Sequence, residues 1–241
     1  MKERTSMDFA LSEQQQLMRT EVRNLARQFA WSYWRELDRT GVYPHEFFNA
    51  FAAAGWLGTV IPTAYGGSGL GVTEACIVLG EIAASGAGTS GASPIHFSMF
   101  PPMPIIKYGS EAMKQRYLPK IASGEMKLAF SVTEPNVGSD TTQLQTTAVR
   151  DGDEWVINGR KVWSSNAQQA DRVLILTRTT PAAHGAKKSQ GMSLFSRTST
   201  GTPFASSSLT SSTSPLAAAS KKVRSFGGNG IDSTGFINQN L

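Results

Sequence analysis

Two short polar segments carry the residues whose types and spacing suit chemistry, and the first is a loop at Thr133–Asp140. It reads Thr-Glu-Pro-Asn-Val-Gly-Ser-Asp and directly follows an apolar run. Pro, Asn and Gly favour tight turns, which bring main-chain N–H groups together. With the hydroxyls of Thr133 and Ser139, such a loop can hold an anionic or carbonyl-rich ligand. On its own, the same pattern is more often an ordinary surface loop.

The second polar segment is Trp163–Asn166, where an aromatic ring precedes the two hydroxyls of Ser164 and Ser165. An indole face can stack on a planar ligand, and a hydroxyl can donate to its edge. A single tryptophan after an apolar run also fits a core position. This segment therefore becomes informative only in combination with the first.

Residues that could bind a metal or form a disulfide are sparse. The chain has one cysteine, Cys76, and three scattered histidines, His45, His96 and His184. A single cysteine cannot form an internal disulfide, and the histidine spacing matches no metal-ligand pattern. We expect no structural or catalytic metal.

The first half of the chain shows helical periodicity. From Ser12 to Phe29 the apolar residues recur at helical spacing, and Ser12 with Gln15 matches a capping box. Further helices are predicted from Pro44 to Gly55, around residues 73–86, and from Ser110 to Ile121 before Gly124. The elements that precede the two polar segments are therefore predicted to be helices.

After Gly124 the pattern changes to short β-branched or aromatic runs typical of strands. Asp151-Gly152 and Asn158-Gly159 supply the positive φ angles of tight hairpins. We predict an α+β fold in which the helices precede an incomplete antiparallel sheet. The predicted strands are residues 128–132, 146–149, 155–157, 161–163 and 173–176.

The positive charge of the chain is concentrated near its end. Of the net charge of +5, residues 1–171 contribute −2 and residues 172–241 contribute +7. Nucleic-acid binding through Lys221, Lys222 and Arg224 is disfavoured, because Phe226 is the one aromatic residue among these basic positions. No apolar run approaches the ~18 residues of a membrane span, and Met1-Lys2-Glu3-Arg4 is no apolar signal core, so we expect a cytoplasmic protein without a transmembrane segment.

The segment from Ser196 to Ser220 has low complexity, with 14 Ser or Thr among 25 residues. Its few apolar residues are too isolated to bury a face, which favours disorder. A shifted reading frame after Phe195 is the favoured explanation of this composition, and a genuine disordered extension is the alternative. In either case, we expect the folded part to end near residue 195.

Together, the two polar segments resemble the flavin-binding signature of the acyl-CoA dehydrogenase family. Their order and their separation of about two dozen residues both match that signature. The resemblance covers roughly residues 7–195. It rests on Ala129–Pro135, Gly138–Asp140 and Ile157–Asn166, and on flanking matches at Leu11–Gln15, Pro62–Gly67 and Gln115–Glu125.

The resemblance implies an FAD site and, together with the change of periodicity after Gly124 and the Ser/Thr-rich composition after residue 195, three regions. The regions are an N-terminal all-α domain at 7–124, a partial middle β-domain at 125–195 that would bind FAD, and a low-complexity tail at 196–241. Trp163 would pack on the flavin ring, Thr133 would lie near its pyrimidine edge, and Ser139 would lie near the pyrophosphate and the CoA part of the substrate. The implied cofactor-binding residues are Phe130, Val132, Thr133, Gly138, Ser139, Trp163, Ser164 and Ser165.

Three departures from the family pattern, or from its full length, affect these implications. Relatives usually have Ile-Thr after the tryptophan, whereas this chain has Ser164-Ser165. Ser165 keeps the hydroxyl that can donate toward flavin N5. Phe130 stands where many relatives have tyrosine, which removes one hydroxyl contact. In the family, the catalytic base is a glutamate in a C-terminal helical domain, which we expect this chain to lack, and Glu134, as part of the flavin loop, is assigned no catalytic role.

The implied reaction is α,β-dehydrogenation of an acyl-CoA thioester, with hydride transfer to FAD. The resemblance also implies an electron-transfer flavoprotein as acceptor and homo-oligomeric intact relatives. Because the base is missing, we expect a truncated chain that is inactive alone. A non-catalytic FAD- or CoA-binding remnant is the alternative.

Overall fold

The computed structural model describes residues 10–152, 154–181, 188–198, 221–223 and 237–238. Helices occupy the first half of this described part and a sheet occupies the second, which confirms the predicted α+β fold. No described helix is long and apolar enough to cross a membrane. The helices are α1 (Glu13–Ala26), α2 (Trp31–Thr40), α3 (His45–Ala53), α4 (Val72–Ile82), α5 (Gly88–Met99), α6 (Met103–Tyr108) and α7 (Glu111–Ala122).

The start of α1 follows the sequence signal closely. The Ser12 hydroxyl accepts a hydrogen bond from the Gln15 main-chain N–H at 3.2 Å, and the Gln15 side chain accepts one from the Ser12 N–H at 3.0 Å. This capping box satisfies two of the N–H groups that a helix start leaves unpaired. Met18 and Val22 are buried along α1, whereas Leu17 is exposed on the opposite side.

Helices α2, α5 and α6 were not predicted. Around α5, Gly86 and Gly88 indicated the end of α4, and both have positive φ, of 102° and 55°. Gly86 lies within the π-helical turn at Ala83–Ala87, where its non-helical backbone makes a kink, and Gly88 begins α5. Helix α5 contains Pro94, yet it buries Ile95 and Met99 in the helical core. Packing therefore outweighs weak local helix propensity here.

The strands of the sheet are β1 (Leu128–Ser131), β2 (Thr147–Asp151), β3 (Glu154–Asn158), β4 (Arg172–Arg178), β5 (Met192–Thr198), β6 (Lys221–Val223) and β7 (Ile237–Asn238). Their order across the sheet is β6-β3-β2-β4-β5-β7, and β1 pairs with β4 beside this path. Four pairings are antiparallel, whereas β1–β4 and β2–β4 are parallel. Hairpin signals between neighbouring runs could not show these parallel pairings, because they join distant strands.

The predicted strand at residues 161–163 is wrong, because this stretch forms no ladder. Asn158-Gly159 accordingly does not join two strands of a hairpin. Instead, the chain turns back along the end of β1, where Val162 donates one main-chain hydrogen bond to Thr133. Side chains supply the other bonds between the two stretches.

One hydrophobic cluster joins the helices to the sheet. Ile121 and Leu118 of α7 belong to the same buried cluster as Leu128 of β1, Leu174 of β4 and Leu194 of β5. A second cluster, centred on Phe47, Phe48 and Phe51, lies within the helical half. The first strands are therefore anchored directly on α7.

The described strands extend past residue 195, the predicted end of the folded part. Strand β5 continues through Thr198, because its ladder with β4 runs from Arg178–Met192 to Arg172–Thr198. The predicted disordered segment overlaps β5 at 196–198, and its remainder, 199–220, lies outside the described residues. The predicted tail includes β6, which pairs with β3, and β7, which pairs with β5.

Candidate functional site

The loop at residues 133–140, here called the Thr133 loop, leaves β1 in a tight turn. Glu134 and Val137 exchange two main-chain hydrogen bonds of 3.0 and 3.1 Å around Pro135 and Asn136. Proline and asparagine suit the two central positions of such a turn. The turn leaves Gly138 and Ser139 exposed at its far side.

Glu134 lies buried at the base of this loop, and its carboxylate is saturated with donors. Oε2 accepts from the Gln145 N–H at 2.7 Å. Oε1 accepts from the Thr146 N–H at 2.9 Å, the Thr146 hydroxyl at 2.6 Å and Lys161 Nζ at 2.9 Å. Burial acts to raise the pKa of Glu134, but these hydrogen bonds outweigh it and hold the pKa below its ordinary value.

Lys161 is the charged partner of Glu134 and is equally buried. The exposed fractions of the two side chains are 3% for Lys161 and 5% for Glu134. Lys161 Nζ also donates to the main-chain oxygen of Val132 at 2.8 Å. Burial lowers the pKa of Lys161, and the contact with Glu134 opposes that effect.

Residues 161–166, here called the Trp163 segment, run antiparallel to residues 128–134. Lys161 reaches Val132 and Glu134, and Val162 donates to Thr133 at 2.9 Å. Further along, the hydroxyls of Ser164 and Ser131 lie 2.7 Å apart, and Asn166 Nδ2 donates to the Leu128 oxygen at 3.2 Å. Residues 128–134 and residues 161–166 are thus bonded to each other at four successive points.

Trp163 stands out from this cross-linked pair of segments. Its side chain is 83% exposed and its φ is 57°, in the left-handed region that aromatic residues rarely occupy. Asn166 also has a positive φ, of 65°, which asparagine tolerates more readily. The core interpretation of Trp163 therefore does not hold, and its ring is available for contact.

The remaining predicted residues surround these segments. Phe130, Val132 and Thr133 are half-buried, and Phe130 packs edge-to-face on Phe100 at 5.1 Å. Ser164 is half-buried and its hydroxyl is already engaged, whereas Ser165 is exposed. Within the described part of the chain, three hydroxyls of the predicted set have no hydrogen-bond partner: those of Thr133, Ser139 and Ser165.

Two features of the site were missed from the sequence. The pairing of Glu134 with Lys161 was not predicted, because the two residues are 27 positions apart and no local pattern links them. The aromatic contact of Phe100 with Phe130 was missed because it joins the end of α5, a helix without a clear sequence pattern, to β1. Within the described ranges, no group of three or more His, Cys, Asp or Glu could hold a metal ion.

Comparisons with known proteins agree with the order of helices and sheet. The family model described as acyl-CoA dehydrogenase, N-terminal domain, matches residues 12–125. The model described as acyl-CoA dehydrogenase, middle domain, matches residues 129–216. The chain belongs to the acyl-CoA dehydrogenase family. Both polar segments of the site fall within the match to the family's middle domain.

Individual members of the acyl-CoA dehydrogenase family extend this result. The chain is 40% identical to glutaryl-CoA dehydrogenase of Desulfococcus multivorans over 195 residues, which are 78% of this chain and 48% of that protein. A solved glutaryl-coenzyme A dehydrogenase in complex with glutaryl-CoA aligns with a TM-score of 0.72 and 36% identity, covering 80% of this chain and 48% of the other. The FAD complex of PigA aligns with a TM-score of 0.71 and 25% identity, over 80% and 49% of the two chains. The chain spans about half the length of these relatives.

Proposed function

We propose that this chain binds FAD and an acyl-CoA thioester, and serves α,β-dehydrogenation of that thioester. The observation that carries the proposal is the exposed ring of Trp163, held by a left-handed backbone directly beside the Thr133 loop. An open aromatic face next to unpaired hydroxyls suits a planar ring with a polar edge. The FAD complex of PigA, a structural neighbour, supports the choice of cofactor.

The residues present fit the flavin in their chemistry. Trp163 would cover the ring, the free Thr133 hydroxyl would meet its polar edge, and the Ser165 hydroxyl would donate toward N5. Ser139, exposed beyond the turn, would meet the pyrophosphate and the CoA part of the substrate. Phe130, Val132, Gly138 and Ser164 complete the proposed set.

The bound flavin would supply a hydride acceptor on one face of the acyl group. The chain's own contribution would be to bind, orient and partly desolvate the reactants. Removal of the α-proton needs a carboxylate on the other face, close to the reacting carbon. Glu134 cannot supply it, because its carboxylate is buried and both of its oxygens already accept hydrogen bonds from the protein.

A second candidate is therefore binding of FAD or CoA without turnover. The saturation of Glu134 favours it, since this carboxylate is the buried one at the site. An electron-transfer flavoprotein as acceptor and a homo-oligomeric assembly are further proposals that rest on family membership. A cytoplasmic location stays a prediction.

The test of flavin binding is a titration of the purified chain into FAD while the flavin fluorescence is followed. We expect saturable quenching, because a flavin ring stacked on an indole loses fluorescence. FMN, which lacks the AMP part, is the matched ligand control and should bind more weakly if Ser139 meets the pyrophosphate region. Absence of saturable binding of FAD would reject the proposed function for this chain.

A further inference from the structure

We infer that Glu134 and Lys161 are positioning residues, whose buried ion pair sets the position of Trp163 relative to the Thr133 loop. This inference rests on the proposed function, because it concerns the same flavin site. Neither residue is expected to touch the flavin or the substrate. Their effect would pass through Thr133 and Trp163, which lie one and two positions away along the chain.

The first argument is the set of bonds that the pair makes. Lys161 Nζ bridges the Glu134 carboxylate at 2.9 Å and the Val132 oxygen at 2.8 Å, so one ammonium group bonds to both sides of Thr133. The next residue, Val162, donates to the Thr133 oxygen itself at 2.9 Å. The main chain before Trp163 is thereby fixed against the main chain around Thr133.

The second argument is that Glu134 brings a third stretch of chain to the same place. Its two oxygens accept from Gln145 and Thr146, at the entrance to β2, as well as from Lys161. These directional bonds join the loop after β1, the start of β2 and the Trp163 segment. A packed apolar cluster could hold the three stretches together but would not fix their register as narrowly.

The third argument concerns the cost of the arrangement. Buried ion pairs are seldom needed for stability, and apolar side chains of similar volume are often as stable or more stable. Lys161 and Glu134 are only 3% and 5% exposed, so stability alone does not explain this ion pair. Its role is then to fix the relative positions of the segments that it joins. The main chain at Trp163 has a left-handed φ, and such a conformation persists only where the surrounding structure enforces it. The bonds of the ion pair are part of that surrounding structure.

The experiment compares variants of the full chain. Lys161→Met removes the ammonium and leaves Glu134 buried without its cation, whereas Lys161→Met combined with Glu134→Gln removes both charges. We expect the double variant to unfold at a higher denaturant concentration than the single variant, yet to bind FAD about tenfold more weakly than the unaltered chain. Lys161→Arg, which keeps a cation, should bind FAD more tightly than Lys161→Met.

The matched control is Arg23→Met in the helical half. It removes one of the two cations that pair with Glu81, whose side chain is 11% exposed. We expect Arg23→Met to lower stability while leaving FAD affinity unchanged. If the double variant at Lys161 and Glu134 is folded and binds FAD as tightly as the unaltered chain, the inference is overturned.

A second readout needs no flavin. Hydrogen exchange of peptides covering residues 128–140 and 158–167 should be faster in the double variant, because the Val162 N–H would lose its fixed acceptor, while α1 and α4 should exchange as before. Failure of the unaltered chain to bind FAD would reject the proposed function but leave this measurement to decide the inference. Unchanged exchange in both peptides would overturn it.

Discussion

At the scale of single residues, the site depends on main-chain positions that few residue types adopt readily. Trp163 has a φ of 57° and presents most of its ring to solvent. Conformations of this kind cost roughly 1–3 kcal/mol and are frequent at functional sites. The proposed contact with a ligand explains both the unusual φ and the exposure of Trp163, because the ring must point away from the protein to cover that ligand.

Replacement of this ring gives the first residue-scale prediction. Trp163→Ala should weaken FAD binding about tenfold, equivalent to about 1.4 kcal/mol, because the stacking face is lost. Fluorescence titration measures the dissociation constant. Trp31→Ala is the matched control, since Trp31 is also an exposed tryptophan, at 67%, but lies on α2. Equal affinity of Trp163→Ala and the control would contradict the stacking role.

Gly159 gives a second prediction at this scale. A Cβ atom there would lie 2.6 Å from the Cα of Thr146, the residue that donates twice to Glu134. Gly159→Ala should therefore lower the free energy of unfolding by about 1–3 kcal/mol, measured by urea unfolding. Gly80→Ala on α4, where an added Cβ meets nothing within 4 Å, should be neutral or slightly stabilising. If the two variants are equally stable, the prediction is wrong, and the main chain near Gly159 and Thr146 can move apart to accommodate the added Cβ atom at little cost.

At the scale of elements, one carboxylate ties α1 to α4. Glu81 accepts from Arg23 Nε at 2.8 Å and Nη2 at 3.0 Å, and from Arg19 Nε at 2.7 Å. These bonds, that of Arg23 above all, lower the pKa of Glu81 from 4.5 to about 2. A carboxylate whose pKa is lower in the folded than in the unfolded chain stabilises the folded state at any pH above its unfolded pKa. The contribution of Glu81 is therefore fully present above about pH 4.5 and is lost as the pH falls toward 2.

The corresponding prediction concerns acid unfolding. Glu81→Gln should reduce the free energy of unfolding at neutral pH, and the difference from the unaltered chain should shrink steadily as pH falls from 5 toward 2. Urea unfolding at a series of pH values measures it. Glu36→Gln is the control, because Glu36 pairs with Arg39 on an exposed part of α2. A difference for Glu81→Gln that stays constant with pH would count against the ion pair as its source.

The elements also show how far the sequence alone could lead. The start of α1 and the turn at Pro135-Asn136 follow from local residue types, and both were predicted. Helix α5 has Gly91 and Pro94 inside it, so its helical state depends on packing against α3 and α4 rather than on local preference. The stretch at 161–163 has the composition of a strand but lacks a ladder, and the Lys161 side chain instead bonds to Glu134. Such pairings depend on distant contacts and leave no periodic signal.

At the scale of the whole molecule, the described residues form a helical half and a sheet that share a core. Leu118 and Ile121 on α7 pack in one cluster with Leu128, Leu174 and Leu194 of three strands. The site lies where β1 leaves this shared core, and Phe100 from the end of α5 packs on Phe130 there. Helices and sheet therefore both shape the surroundings of the proposed flavin.

The prediction at this scale concerns turnover. When the FAD-loaded chain is mixed anaerobically with acyl-CoA thioesters of increasing length, the flavin absorbance should not bleach. The two carboxylates of the Thr133 loop do not serve as the base, because Glu134 is buried and accepts hydrogen bonds from the protein, and Asp140 is exposed and bonded to Thr142. General-base catalysis typically contributes 10²–10⁴-fold, so its loss should be evident. A solved full-length relative is the positive control. Bleaching at a comparable rate would place a working base within this chain.

Because β1 pairs with β4, a strand much later in the sequence, β1 has no partner during part of the synthesis of the chain. Leu128 pairs with Arg172, which emerges from the ribosome 44 residues later. At ~5–20 residues per second, the hydrogen-bonding edge of β1 waits about 2–9 s for its partner. During that interval α7 can already shield Leu128, yet the edge itself stays open to pairing with another nascent chain. Slower translation after residue 131 would lengthen this interval and should increase aggregation during expression.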